Sequence, residues 1–252
     1  MSETRSRLGL IDTIRGITII SMILFHACWD ILYFDLGLSP EFLYGTGAYI
    51  WQQSICWSFI FISGFCFSYG HDHLKQGLKL IILSLLVTAV TVLVMPDERI
   101  VFGVLTLLGC SVLLTIPLDR LFSDKKGTSI PGLLISLLLF FLLRNINRGT
   151  LGFEKLSLGA LPENLYKGYF MTFLGFMDHE FISSDYFSVI PWVFMFLAGY
   201  FTNRVFNGKE KDIKLFKLNI RPLAFLGRHS LIIYLAHQVI LYLFFLLLKH
   251  HI

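Results

Sequence analysis

Seven stretches of this chain are apolar over lengths that helices in the core of a water-soluble protein rarely reach. They predict helices over Gly9 to Phe34, Ala48 to Tyr69, Leu78 to Met95, Val101 to Phe122, Pro131 to Ile146, Phe187 to Val205 and Ala224 to Leu248. A helix needs about 20 apolar residues to cross the hydrocarbon of a bilayer. The expected fold class is therefore an all-α membrane protein, a polytopic bundle of about seven transmembrane helices. The composition agrees, with 15% charged residues against about 25% in an ordinary soluble domain. The fifth run is the shortest, and Pro131 suits its first turn, so an even number of spans stays open. Leu165 to Met177 is aromatic-rich but holds Lys167 and two glycines, which suits an added re-entrant or interfacial helix. The first run carries Asp12, Arg15, His26 and Asp30 and no small-residue cleavage site follows it, unlike a signal peptide.

Lysine and arginine set the orientation of such a chain. With a cytoplasmic N-terminus and seven spans, fifteen of the 21 fall on the inner side. Among them are Arg5, Arg7, Lys125, Lys126 and the dense run Lys209 to Lys217. The expected localisation is the cell membrane, multi-pass, with residues 204–222 as a basic cytoplasmic loop and 147–186 as an extracytoplasmic loop. The basic loop reads either as a segment held by anionic headgroups or as a landing surface for a polyanionic ligand. The net charge of +4 is typical of cytoplasmic loops and gives no reason to expect nucleic acid. The extracytoplasmic loop holds Asp178, His179, Glu180 and Asp185 among aromatic residues, so it is expected to fold over the outer mouth of the bundle. Cys28, Cys56, Cys66 and Cys110 have no Cys-x-x-Cys spacing. They read as small buried hydrophobes, with neither a disulfide framework nor a metal site expected.

Ionisable groups inside a span are expensive and mark candidate sites. His26 and Asp30 lie four residues apart on one face of the first helix. A carboxylate beside an imidazole fixes its tautomer, as a general base or a group-carrying histidine requires; a buried structural pair is the bland alternative. At the inner end of that helix, Asp12 and Arg15 suit either an interface anchor or a cofactor site. In the second run Gln53 is an open candidate, while Ser63 and Gly64 read as packing residues. The last run begins Gly227-Arg228-His229-Ser230 and contains His237-Gln238. Arg228, near the expected helix start, suits phosphate. His237 is either catalytic or an interhelical hydrogen-bonding group. No internal repeat is evident, which weakens the case for an inverted-repeat transporter. A proton-coupled small-solute transporter using His26, Asp30 and His237 as a relay remains the alternative reading.

The run Ile11-Asp12-Thr13-Ile14-Arg15-Gly16, followed by Met22, His26 and Trp29-Asp30, resembles the opening helix of the heparan-alpha-glucosaminide N-acetyltransferase catalytic-domain family. Three further segments are similar to its bacterial members: Phe59 to Gly64; Ser184 to Phe187 with Ile190-Pro191-Trp192; and Leu226 to Leu231 with Tyr234-Leu235 and His237-Gln238. The resemblance covers residues 1–252 as a single transmembrane acyltransferase-like domain. It implies an acyl-CoA-dependent N- or O-acyltransferase, with acetyl-CoA or another acyl-CoA as donor and a glycan or amino sugar as acceptor. Further partners expected are the lipid bilayer and, compatibly, a second copy of the chain. By this resemblance His26 is the acyl carrier or base and Asp30 its orienter. His237 and Asp185 join them as catalytic candidates, with Asp185 at the outer mouth. Arg15, Asp12, Arg228 and Ser230 would bind the donor, and Gln53, His179 and Trp192 the acceptor. Thr106 stands where the family's bacterial members often carry a histidine or other larger polar residue, a departure that puts a second catalytic base in the fourth span in doubt.

Overall fold

In a bilayer the backbone N–H and C=O groups find no water, so a long apolar run is driven to bond within itself as a helix. A computed structural model describes residues 8–122, 127–206 and 208–251. Arg5, Arg7, Lys125 and Lys126, counted above on the inner side, lie outside the described residues. The helices are α1 Gly9–Tyr33, α2 Pro40–Tyr44, α3 Thr46–Phe65, α4 His73–Val94, α5 Val104–Phe122, α6 Ser129–Leu142, α7 Tyr169–Leu174, α8 Val189–Phe206, α9 Arg221–Arg228 and α10 Ser230–His251. Seven of them, α1, α3, α4, α5, α6, α8 and α10, are long and apolar enough to cross a membrane. The protein is an all-α membrane protein of the multi-pass kind, with one antiparallel hairpin among the described residues, β1 Thr150–Phe153 and β2 Leu156–Ala160.

Two helix starts differ from expectation by five residues or more. The span expected from Leu78 starts at His73, because Asp72 Oδ1 accepts the Lys75 N–H at 3.4 Å and caps the helix. The run expected as one helix from Ala224 to Leu248 is broken at His229 into α9 and α10. Pro222 opens α9, and only Ala224 and Gly227 on it are buried. Its small residues pack it against α1, and it does not continue into the span.

The chain divides into two compact units, residues 1–59 with 207–252, and residues 60–206. In the first, α9 and α10 both pack on α1. A Cβ on Gly16 would fall on the Leu223 carbonyl, and one on Gly227 on the Asp12 carbonyl. Glycine therefore lets these backbones touch, as at helix contacts in membranes. Ile19, Met22 and Phe25 of α1 form the core with Leu43, Ala48 and Ile55. Trp51 Nε1 donates to Ser21 Oγ at 2.7 Å, satisfying its one polar atom.

In the second unit α8 packs on α5 and α6, and α4 on α5. A Cβ on Gly64 would meet the Phe196 carbonyl, so Gly64 serves close packing. Thr106 Oγ1 and Ser84 Oγ share a hydrogen bond of 2.5 Å between α5 and α4. Tyr200 donates to Asp119 Oδ1 at 2.7 Å, and Arg204 Nη2 donates to the Phe122 carbonyl at 2.5 Å, covering the last carbonyl of α5. The connection from α6 to α8 is structured throughout. Asn145 Nδ2 donates to the Glu154 and Leu156 carbonyls at 3.0 and 3.2 Å and holds the hairpin turn. Ser184 N–H bonds to the Arg99 carbonyl at 3.0 Å, and Phe187 N–H to the Phe102 carbonyl at 2.8 Å.

Leu93 of α4 is 83% exposed, and Leu85 on the same helix and Ile240 on α10 are also open. A water-soluble chain does not present such rows of aliphatic residues, and lipid covers them. The four cysteines form no disulfide among the described residues and are partly exposed, not buried as expected. Cys28, Cys56 and Cys110 lie on helices covered on some faces only, and a small thiol at the margin of a covered face stays partly open.

Candidate functional site

In the first unit α1 and α10 bring two histidines together. The His26 and His237 rings are 4.9 Å apart between centroids, inclined at 62°. The i, i+4 spacing puts His26 and Asp30 on one face of α1, and α10 lays His237 and Gln238 along it. Asp30 is buried, and its Oδ1 accepts a hydrogen bond from Gln238 Nε2 at 3.1 Å. A carboxylate in such surroundings requires donors, and the amide of Gln238 supplies one. The described ring neighbours of His26 are Phe25 and His237.

His237 is 7% exposed. Its Nδ1 bonds to the Tyr234 carbonyl at 2.5 Å. A carbonyl only accepts, so Nδ1 carries a proton, and in the neutral ring Nε2 presents a lone pair. Nε2 is buried and has no hydrogen-bonding partner among the described residues. The Tyr234 ring, 5.6 Å from that of His237, stacks at 6.5 Å on Phe59 and closes one side of the site with apolar surface.

Toward the start of α1 the site becomes basic. Arg228 Nη1 is 4.0 Å from Asp12 Oδ2, with about a third of the arginine side chain exposed. Arg15 lies beside Gly227, the residue before Arg228. Thr13 Oγ1 donates to the Gly9 carbonyl at 2.8 Å and accepts the Ile220 N–H at 3.2 Å, which ties the approach to α9 onto α1. Arg228 ends α9; it does not open the long helix, and the N-terminus of α10 begins two residues later at Ser230. Gln53 Oε1 accepts from Trp57 Nε1 at 3.1 Å within α3.

The other three candidates belong to the second unit. Asp185 Oδ2 accepts the Val104 N–H at 3.3 Å and so stands at the N-terminus of α5, where a carboxylate is favoured. Trp192 is buried against Phe140 and Phe187, with the Arg144 guanidinium 5.0 Å from its ring. His179 is exposed and stacks on Tyr166 at 6.4 Å. Beside it, Asp178 organises the loop. Its Oδ2 accepts the Gly168 N–H at 2.5 Å and its Oδ1 the Glu180 N–H at 3.0 Å. The backbone N–H groups of Gly168 and then Glu180 hold this carboxyl below its usual range.

Sequence reasoning missed two groups. Gln238 was visible only as the neighbour of His237, although an amide inside a span is itself a signal of an interhelical bond. The Tyr234 carbonyl, which sets the tautomer of His237, is a backbone group with no signature in side-chain identity.

The family model for heparan-alpha-glucosaminide N-acetyltransferase, catalytic, matches residues 7–239. The chain belongs to this family. Comparison with curated proteins returned no match, and comparison with solved structures returned none. Membership makes the protein a member of an N-acetyltransferase family, and the match runs through both histidines and the basic end of α1.

Proposed function

We propose that the protein is an acyl-CoA-dependent acyltransferase. In this reading it moves an acyl group, acetyl in the first instance, from cytoplasmic acyl-CoA to an extracytoplasmic sugar or amine. The observation that carries the proposal is the contact of His26 with His237 in the unit that also holds Arg15 and Arg228. His26 lies eleven residues along α1 from Arg15, which is about 16 Å at 1.5 Å per residue. A donor whose phosphates meet Arg15 and Arg228 would extend its thioester toward the histidine pair. His26 then serves as base or acyl carrier. Asp30, held by Gln238, is assigned the role of orienting it. Asp12 and Ser230 complete the donor end, and Gln53 the acceptor contacts of this unit. Asp185, His179 and Trp192 are assigned acceptor-side roles on the second unit.

Guanidinium groups suit phosphate because they are permanently charged and form paired hydrogen bonds. Acetyl-CoA should therefore stabilise the purified protein against heat more than dephospho-CoA does. In nanodiscs, CoA release from acetyl-CoA should depend on an added amino sugar such as glucosamine. If neither stabilisation nor acceptor-dependent release occurs, the proposal falls. Protons driven across sealed liposomes by a solute, without CoA chemistry, would favour the transporter reading.

A further inference from the structure

We propose that His237 Nε2 is the docking point for the acceptor substrate and that it takes a neutral hydrogen-bond donor, a hydroxyl or an amine N–H. This rests on the acyltransferase reading and deepens it, because it assigns one end of the site to one substrate by chemistry.

The tautomer decides which kind of group can bind. The Tyr234 carbonyl holds the proton of His237 on Nδ1, so in the neutral ring Nε2 can only accept. The nitrogen is enclosed and no described group answers it. A buried polar atom left without a partner is costly, and a ligand that supplies a donor relieves that cost. The lone pair repels other lone pairs. A phosphate oxygen or the carbonyl oxygen of a thioester therefore gains nothing at this atom, whereas O–H and N–H groups do. The next residue points the same way: Gln238 gives its N–H to Asp30, and its Oε1 is also buried without a described partner. Two successive residues of α10 thus offer buried acceptors without a described partner. The basic end of α1 offers the reverse, with the guanidinium groups of Arg15 and Arg228 as donors. The two substrates of a transferase are sorted by this polarity: the anionic donor to the arginines, the O–H or N–H nucleophile to His237. His26, 4.9 Å away between ring centroids, is then next to the group to be acylated.

The experiment uses the full chain in nanodiscs with histidine labelled by nitrogen-15 in the ring. The His237 signals are assigned by their loss in His237→Gln. In the free protein Nε2 should resonate as an unprotonated nitrogen, and glucosamine should shift it while inorganic phosphate and acetyl-CoA leave it in place. A protonated Nε2, a response to phosphate or acetyl-CoA alone, or no response to glucosamine would each overturn the assignment. Kinetics give a second reading. His237→Phe, which keeps a ring but has no acceptor, should raise the KM for glucosamine about tenfold or more, with acetyl-CoA affinity held within about twofold. His237→Gln, which retains an accepting oxygen, should recover part of that loss. If acetyl-CoA affinity falls and the KM for glucosamine does not rise, the inference is wrong even where the protein is active. If wild-type protein shows no acetyl transfer, the functional reading fails separately, and the nitrogen signals still decide whether His237 takes a donor.

Discussion

Arg228 comes within 4.0 Å of Asp12 because Gly227, the residue before it, lies against the backbone of α1. The pair is loose and partly open, so the guanidinium keeps N–H groups for another anion. If that anion is a phosphate of acyl-CoA, Arg228→Ala should weaken acetyl-CoA binding about tenfold or more, since hydrogen bonds to charged groups contribute about 1.5–3 kcal/mol. Arg228→Lys should lose less, keeping charge without the planar fork. Calorimetry on folded protein reads both, and unchanged affinity in Arg228→Ala would remove the residue from the donor site.

His26→Ala should abolish turnover while acetyl-CoA binding and melting temperature stay near wild type. Asp30→Asn can still accept from Gln238, so the fold should survive, with slow turnover and an altered pH–rate profile. A packing role predicts the opposite pattern, with stability and activity lost in proportion in both variants. Near-normal turnover in well-folded His26→Ala would shift the chemistry to His237.

The loop carrying His179 should loosen in acid. Because its N–H partners depress the Asp178 carboxyl in the folded chain, its contribution is fully present above the usual aspartate value of about 3.9. It is lost as pH falls through the lower folded value. Hydrogen exchange at the Gly168 and Glu180 amides, corrected for intrinsic rates, should show protection down to about that pH and loss below it. In Asp178→Asn the protection should be weaker at neutral pH and flat across the range. Equal acid sensitivity in that variant would assign the loosening to another group.

Sidedness follows from the lysine and arginine distribution. A cysteine at Lys214 should react with an impermeant maleimide only when the cytoplasmic face is opened. Labelling from outside intact cells would reverse the orientation and place the arginines on the wrong side for cytoplasmic acyl-CoA.

The seven spans were legible because length and hydropathy suffice where backbone must bond to itself. The break at His229 was not, since Ala224 to Leu248 reads as one apolar run. What ends α9 is its packing on α1 through Gly227 and Ala224, a tertiary effect. The site was half legible. His26 and Asp30 share a helix face, and spacing alone reveals that. Their partners His237 and Gln238 come from the far end of the chain, and spacing within one helix carries no information about them. Asp178 was seen only as one acid among several, because its role is to accept two backbone N–H groups that a residue pattern does not display.

The break at His229 also decides where the chain tolerates a change in length. An α-helix turns about 100° per residue. One residue inserted between Ser230 and Tyr234 would swing His237 and Gln238 around α10, away from His26 and Asp30. One residue inserted at 212–213, between the short 3-10 turns Lys209–Lys211 and Lys214–Lys217, falls before α9 and leaves the rotational setting of α10 to the packing of α9 on α1. The phase of α10 is therefore set by the few residues after the break rather than by the length of the basic loop before α9.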